Sequence, residues 1–144
     1  MAGEGEQMER EEQLGVSGDV RLVVPAAPEY LRLVRLTAAG LASRLGFTFD
    51  EVEDLRIAVD ELCFHLLGDV DDEEAGPAAE GRTMDLTYSA ATDSITITGQ
   101  TGASGAVPEP SELSEQILDA LVDEHEVGSA DGLVMFRLKK QRES

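Results

Sequence analysis

The stretch that decides the fold is Asp54-Leu55-Arg56-Ile57-Ala58-Val59-Asp60-Glu61-Leu62-Cys63-Phe64-His65. Apolar side chains recur along it and its flanks at the spacing of an α-helix, which turns once every ~3.6 residues. Thr48 or Asp50 can cap this helix, and Gly68 ends it. Its apolar side comprises Val52, Leu55, Val59, Leu62 and Leu66, and is widened by Ile57, Ala58 and Cys63. A helix with this much apolar surface is expected to pack against a sheet.

A second amphipathic helix precedes this one and is expected from about Pro28 to about Leu45. Pro28 suits a first helical turn, and Gly46 can take the left-handed conformation that ends a helix. Its expected apolar face comprises Leu33, Leu36, Gly40 and Leu41, extended by Tyr30, Val34, Ala38 and Leu45. Arg32 and Arg35 lie toward the rim, so the helix is expected to bury one face and present a basic edge.

The remaining ordered segments alternate apolar and polar residues, as strands do. The expected strands are 20–24, ending at Pro25, then the hairpin 84–88 with 94–98, and the hairpin 124–128 with 133–138 turning at 130–132. Ser111 can cap a short third helix between the hairpins. This order predicts an α/β two-layer sandwich, with a mixed, mainly antiparallel sheet and the helices on one face.

One domain, 19–140, is expected, because 144 residues is a common size for a single domain. An acidic tail, 1–18, precedes it, since that segment has few large apolar side chains to offset the entropy of ordering. Residues 69–81 hold six acidic residues and a Gly-Pro pair, which predicts a solvated loop. The basic end 139–142 and the short tail 141–144 are expected to be exposed.

Composition excludes several classes of function. Thirty acidic residues against eleven Lys and Arg give a net charge of −19, which repels nucleic acid and anionic membrane surfaces. The acidic N-terminus lacks the features of a signal peptide, and the apolar runs are shorter than the roughly 20 residues of a membrane span, so a cytoplasmic location is expected. A lone Cys63 and two distant histidines, His65 and His125, provide no zinc cluster. Cys63 is expected to be an inert thiol of the core.

Glu61 and His65 are the first candidates for chemistry. A carboxylate at the border of an apolar helix face can act as a general base if its pKa is raised. His65 lies one turn later and can hydrogen-bond to it or help to hold a metal. The alternative is structural: Glu61 is then a rim carboxylate near Arg56 or His65, and from the residues alone this reading is the more frequent one.

Two further features allow both a functional and a structural interpretation. The glycine-rich stretch 99–105 can wrap a phosphate with backbone N–H groups, but it lacks the lysine and spacing of a P-loop. Its structural alternative is a flexible surface loop. Arg32 and Arg35 can pair with acidic groups of a protein partner. Their alternative is ion pairing within the helix, to neighbours such as Glu29.

Two strings carry a family resemblance: 54–67, preceded by Leu31-Arg32-Leu33-Val34-Arg35, and 117–127. Here the sequence resembles the anti-sigma regulatory factors and serine-protein kinases of the histidine-kinase-like (GHKL) ATPase superfamily, especially their divergent actinobacterial members. The resemblance extends from about Val20 to Lys140 and includes the order of helices and strands. It implies the histidine-kinase-like, or Bergerat-type, fold.

The resemblance also implies site residues. In the family, a glutamate on the second helix is the general base, and an asparagine four residues later coordinates the magnesium of ATP; Glu61 and His65 stand at these positions. Gly102 remains from the Asp-x-Gly-x-Gly motif that binds adenine, whose aspartate is missing. The glycine-rich lid has no counterpart, and Gly132-Leu133 replaces a Gly-Thr pair. Glu61, His65 and Gly102 are therefore the candidate nucleotide-binding residues of an eroded site for ATP and magnesium.

The family function implied is that of an anti-sigma factor, with the partner-binding arginine of the first helix matching Arg35. Such a protein sequesters an alternative sigma factor as a homodimer, within a stress response, and an anti-sigma-factor antagonist of the STAS fold releases it. The eroded motifs predict a pseudo-kinase with little or no ATP dependence. The alternatives are an active serine kinase that phosphorylates the antagonist, a sensor whose pocket holds another small molecule, and an interaction module without a sigma factor.

Overall fold

A computed structural model describes residues 18–68, 81–102 and 109–143. The elements are β1 (Gly18–Pro25), α1 (Leu31–Arg44), α2 (Phe49–Leu67), β2 (Thr83–Ala90), β3 (Ser94–Gly102), α3 (Glu112–Leu121), β4 (Glu124–Ala130) and β5 (Leu133–Gln141). The strands form one sheet in the order β1-β2-β3-β5-β4, and every described pairing is antiparallel. Alternate residues of the central strands, such as Leu86, Ile97 and Leu138, join the helices in one core. The predicted two-layer sandwich is confirmed.

Helix α1 buries only part of the predicted face: Val34, Ala38 and Leu45 are buried as expected. Pro28–Tyr30 forms a 3-10 turn, and α1 itself begins at Leu31. Leu33 and Leu36 were expected in the apolar face, but they are 49% and 51% exposed. The buried residues of α1 are Leu31, Val34, Ala38 and Ala42. Leucines lie all round this helix, so periodicity alone did not identify the face on which α2 and the sheet pack.

Helix α2 follows the predicted pattern with one exception. Thr48 caps it: its side chain accepts a hydrogen bond from the Glu51 amide, and the Glu51 carboxylate accepts one from the Thr48 amide. The residues buried along α2 are Glu51, Leu55, Ala58, Val59, Leu62, Cys63, Leu66 and Leu67. Ile57, expected to widen the apolar side, is instead 49% exposed because it lies on the side turned away from the sheet. Gly46 has the predicted left-handed backbone, with φ +85°.

The strands are longer than predicted, and they include half of the glycine-rich stretch. Gly99 pairs with Phe136 across β3 and β5, and a Cβ at Gly99 would lie 2.5 Å from Cε2 of that ring. The surface-loop interpretation is therefore wrong for 99–102, where glycine allows close packing; 103–105 lie outside the described residues. The last hairpin turns as predicted, through Asp131 and Gly132 with φ of 55° and 78°.

The basic end of the chain is partly buried, contrary to expectation. Lys140 is in the core layer, and its Nζ donates a hydrogen bond to the Leu121 carbonyl at 2.7 Å. Arg142 Nη1 donates to the Leu45 carbonyl, also at 2.7 Å. Both carbonyls lie at the ends of helices, where intrahelical donors run out, so these cations have a structural role.

The predicted acidic tail and the predicted solvated loop fall almost entirely in parts of the chain that the structure does not describe. Tail residues 1–17 and loop residues 69–80 lie outside the described residues, as does Ser144. Within the described ranges, no helix is long and apolar enough to cross a membrane.

Candidate functional site

Glu61 lies on the flank of α2 that faces α3, and its carboxylate is engaged by the protein itself. The Ser114 hydroxyl donates a short hydrogen bond to Glu61 Oε1. Ser114 is held in the first turn of α3 because Ser111 caps that helix by accepting a hydrogen bond from the Ser114 amide at 3.0 Å. The predicted general base is thus bonded to a hydroxyl of its own chain.

His65 lies one turn after Glu61 on the same flank. Burial lowers the pKa of His65, and the nearby Glu61 carboxylate opposes that shift. The imidazole is therefore neutral at neutral pH. Its Nε2 is buried and has no hydrogen-bond partner within the described ranges. His65 therefore carries no charge opposite Glu61, and the two side chains do not form an assembled set of metal ligands.

A small cavity of about 220 Å³ separates α2 from α3. It is lined by Glu61, Leu62, Phe64, His65, Glu109, Pro110, Ser111, Ser114 and Leu118. Pockets for cofactor-sized ligands have volumes of roughly 300–1,000 Å³. Gly102, at the end of β3, is not among its lining residues, so the three predicted nucleotide-binding residues do not converge here.

The donor set of this cavity does not fit magnesium. Mg²⁺ requires hard oxygen ligands in near-octahedral geometry, whereas His65 offers a neutral ring nitrogen and Glu61 is bonded to Ser114. Among residues 18–68, 81–102 and 109–143, no group of three or more His, Cys, Asp or Glu side chains is arranged to hold a metal ion.

The opposite flank of α2 faces α1, and it contacts Arg35 of α1, the predicted partner-binding arginine. Arg35 Nη1 donates to Asp60 Oδ2 at 3.0 Å. The structural alternative proposed an ion pair with Glu29, but Arg35 pairs with Asp60 of α2 instead. Arg32 is exposed and makes no ion pair with any described residue. The two groups of predicted site residues thus lie on opposite flanks of one helix.

Sequence reasoning missed Ser114 and Asp60, which contact Glu61 and Arg35. Ser114 lies three positions after the helix cap Ser111, but nothing in a serine at that spacing indicates its partner. Asp60 is one of many acidic residues in a chain of net charge −19. Neither residue carries a local signal, because each contact joins two elements that only the tertiary fold brings together.

Cys63 behaves as the sequence predicts. It is fully buried on the core side of α2, and burial raises the pKa of its thiol to about 12. Only the thiolate is nucleophilic, so this cysteine has no role in covalent chemistry at neutral pH.

A larger concavity, of about 510 Å³, lies on the face of the sheet that points away from the helices, and Gly99 and Gln100 of the glycine-rich stretch are among its lining residues. An ion pair between Arg21 and Asp85 lies at its β1–β2 side, and Glu126, Gly128 and Met135 lie at the other. The hydrogen bond from Arg21 holds the pKa of Asp85 below its usual value.

Comparison with known proteins identifies relatives of part of the chain. The serine-protein kinase RsbW of Bacillus subtilis is 57% identical over 44 residues, which are 31% of this chain and 28% of that protein. RsbW of Halalkalibacterium halodurans is 41% identical over 69 residues, or 48% of this chain and 38% of the relative. The chain thus matches well under half the length of these relatives. No family model matches it.

Among solved structures, the fold is similar to the crystal structure of the RsbU and RsbW domains of Rv1364c from Mycobacterium tuberculosis. The TM-score is 0.62 at 14% sequence identity, over 87% of this chain and 32% of that one. At this identity the likeness shows the fold alone. Together with the local matches to RsbW, it confirms the predicted resemblance: part of the chain is similar in sequence to serine-protein kinases named RsbW, and its fold is similar to that of a structure containing an RsbW domain.

Proposed function

We propose that this protein is an anti-sigma factor, which binds an alternative sigma factor and is released from it by a STAS-fold antagonist. The observation that carries the proposal is the surface of α1. This helix contains Arg32, Arg35 and Arg44 and no acidic residue, in a chain with thirty acidic residues. It is the part of the described fold best suited to recognise carboxylates of another protein, because arginine binds them bidentately.

The charge of the remaining chain suits the same partner. A sigma factor has basic surfaces for promoter DNA, and a net charge of −19 steers such a partner toward this protein and away from DNA. An antagonist that also binds the Arg32 and Arg35 region competes with the sigma factor. Control then depends on the concentrations and affinities of the two partners.

We further propose that binding needs little or no ATP. Glu61 is bonded to Ser114, His65 is a neutral imidazole in place of the family's asparagine, and the cavity between them is about 220 Å³. A protein with this site acts by occupancy of a surface, as a pseudo-kinase. Homodimerisation, a cytoplasmic location and a role in a stress response complete the proposal and come from the family resemblance.

The test measures binding of the purified chain to purified alternative sigma factors of its own organism, by isothermal titration calorimetry with and without Mg·ATP. The expected result is equal affinity in both conditions and a loss of about 100-fold or more in Arg35→Glu, since charge reversal leaves a partner carboxylate unpaired. Arg44→Glu is the matched control, because it makes the same charge change in the last turn of α1. Equal binding by both variants, or no binding by the wild type, contradicts the proposal.

An active serine kinase is the second candidate, favoured because the curated relatives are named as serine-protein kinases and because Glu61 occupies the position of the family base. It predicts Mg·ATP-dependent phosphate transfer to a serine of the antagonist that disappears in Glu61→Ala. Radiolabelled ATP, with Glu53→Ala as the control carboxylate on the same helix, distinguishes it from the pseudo-kinase.

A further inference from the structure

Two cross-strand rows of side chains line the concavity on the face of the sheet that points away from the helices. The first row consists of Arg21, Thr87, Thr98, Arg137 and Glu126, one from each strand. The second row consists of Asp85, Gln100, Met135 and Gly128. Because neighbouring strands lie ~4.8 Å apart, the first row extends about 19 Å across the sheet. The volume of about 510 Å³ is in the range of ligand pockets, and we call this site the sheet concavity.

One lining charge of the sheet concavity, that of Glu126, has no counterpart. Arg21 donates hydrogen bonds to both carboxylate oxygens of Asp85, so this pair is neutral. Arg137 Nη1 lies 3.3 Å from Glu124 Oε1, and Glu124 itself is not a lining residue. Among residues 18–68, 81–102 and 109–143, no cation forms an ion pair with Glu126. An occupant of the concavity therefore meets one uncompensated carboxylate.

Apolar surface and free volume lie next to this carboxylate. Met135 is 44% exposed and pairs directly with Gly128 across β5 and β4. A Cβ at Gly128 would meet no heavy atom within 4 Å, so the space above this residue is open. Glu126 is two positions before Gly128, which places both residues on the same face of β4. A methionine sulfur makes favourable contacts with aromatic rings, so this end of the concavity suits an aromatic group.

The charge of the chain selects the sign of the occupant. A net charge of −19 attracts organic cations and repels organic anions, in agreement with the uncompensated Glu126. A second copy of the chain fits poorly, because a two-fold contact presents the same concave face from both sides and leaves the hollow unfilled. The middle of the concavity provides the partly exposed hydroxyls of Thr87 and Thr98 for hydrogen bonds to a ligand's polar atoms.

We propose that the sheet concavity binds a flat aromatic organic cation, whose ring lies on Met135 and above Gly128 and whose positive group lies beside Glu126. The ligand is a small molecule and lies on the opposite side of the sheet from α1, α2 and α3. The proposal therefore does not rest on the anti-sigma function, and either can fail without the other.

The experiment titrates the purified full chain with three dyes and follows their fluorescence. Thioflavin T is the aromatic cation, its uncharged analogue without the ring N-methyl group is the matched neutral probe, and anilinonaphthalene sulfonate is the anion. Glu126→Gln removes the charge at nearly constant size, and Glu115→Gln, at an exposed position of α3, makes the same change in net charge elsewhere.

A second pair of variants tests the volume. Gly128→Leu fills the open space, and Gly40→Leu adds the same side chain at an open position of α1 as the control. Neither glycine has a left-handed backbone, so leucine is compatible with both positions. Circular dichroism verifies that each variant is folded.

The expected result is that thioflavin T binds the wild type and the anionic dye does not. Glu126→Gln weakens binding of thioflavin T by about 3- to 5-fold, as for an exposed ion pair, and leaves binding of the neutral analogue unchanged. Gly128→Leu weakens binding of both by at least about 10-fold, because the leucine occupies the volume that the ring needs. Both control variants bind as the wild type does.

Four outcomes overturn the proposal. Thioflavin T fails to bind the wild type, or Glu115→Gln weakens it as much as Glu126→Gln does, which would reflect only the general acidity of the chain. Binding unaffected by Gly128→Leu would place the dye elsewhere. A wild-type dimer that Gly128→Leu converts to a monomer in analytical ultracentrifugation would assign this face to a second copy of the chain.

Discussion

The two flanks of α2 contrast in what covers them. On one flank, Glu61 and His65 face α3 across a small cavity, and the Ser114 hydroxyl donates a hydrogen bond to one oxygen of the Glu61 carboxylate. On the other, Arg35 and Asp60 join α1 to α2, and Ile57, one turn from Asp60, is 49% exposed. We call the flank that faces α3 the closed flank and the flank that faces α1 the open flank.

Nucleotide chemistry and protein binding require different features of a protein surface, so the two properties are separable. Chemistry on a nucleotide needs an open cavity with ligands at fixed positions, and a few substitutions such as histidine for asparagine remove it. Binding a protein needs only exposed apolar area and complementary charge, which tolerate those substitutions. Loss of a nucleotide site therefore does not by itself remove a protein-binding surface.

The largest expected effect concerns Cys63, which is fully buried while its neighbour Phe64 is half exposed. With a thiol pKa of about 12, native Cys63 is ionised on the order of a thousandfold less than a free cysteine at about pH 8. Its reaction with Ellman's reagent is expected to be slower by at least that factor than in unfolded protein. A Phe64→Cys substitution in a Cys63→Ser background is the control and reacts rapidly. Equal rates would show that the two faces of the helix do not differ.

Truncation of one side chain on each flank tests the contrast in packing. Leu118 of α3 is 1% exposed and packs on the closed flank, so Leu118→Ala is expected to lower the free energy of unfolding by about 2–5 kcal/mol. Ile57→Ala removes half-exposed area and is expected to cost less than about 1 kcal/mol. Urea denaturation measures both. A similar loss of unfolding free energy in the two variants would mean that Ile57 is covered in the folded protein.

Removal of the Ser114 hydroxyl tests the closed flank directly. Ser114→Ala leaves the Glu61 carboxylate without this partner and is expected to cost about 1.5 kcal/mol, the lower end for a hydrogen bond to a charged group. Ser43→Ala, at an exposed position of α1, is the control. Thermal denaturation is read with and without Mg·ATP, and neither variant is expected to gain stability from the nucleotide. Stabilisation of Ser114→Ala by Mg·ATP would identify a closed but functional site.

The smallest expected effect comes from the capping box at the N-terminus of α2, which contains Thr48 and Glu51. Hydrogen bonds donated by the amides of Thr48 and Glu143 lower the pKa of Glu51 below its usual value. Its stabilising contribution is therefore present above the usual carboxyl pKa and is lost as the pH falls through the lowered one. Glu51→Ala is expected to cost about 1 kcal/mol at neutral pH and nothing below that range. Chemical denaturation across pH, with Asp50→Ala as control, checks this; a difference that persists in acid contradicts it.

Much of the fold could be predicted because it depends on residues that are close together in the sequence. The capping residues Thr48 and Ser111, the left-handed Gly46 and the Asp131-Gly132 turn each act within a few residues of their own position. Predictions failed where a helix has apolar residues on more than one side. Leu33, Leu36 and Ile57 were expected in the core, but the packing of neighbouring elements left them exposed.

The order of elements, the cap at Ser111 and the buried thiol could be predicted from the sequence, because these features depend on residue type and short spacing. Only the tertiary structure decided that Ser114 meets Glu61 and that Asp60, not Glu29, holds Arg35. These pairs are separated by 53 and 25 positions. Contacts over such distances arise from the packing of whole helices, and no local propensity specifies them.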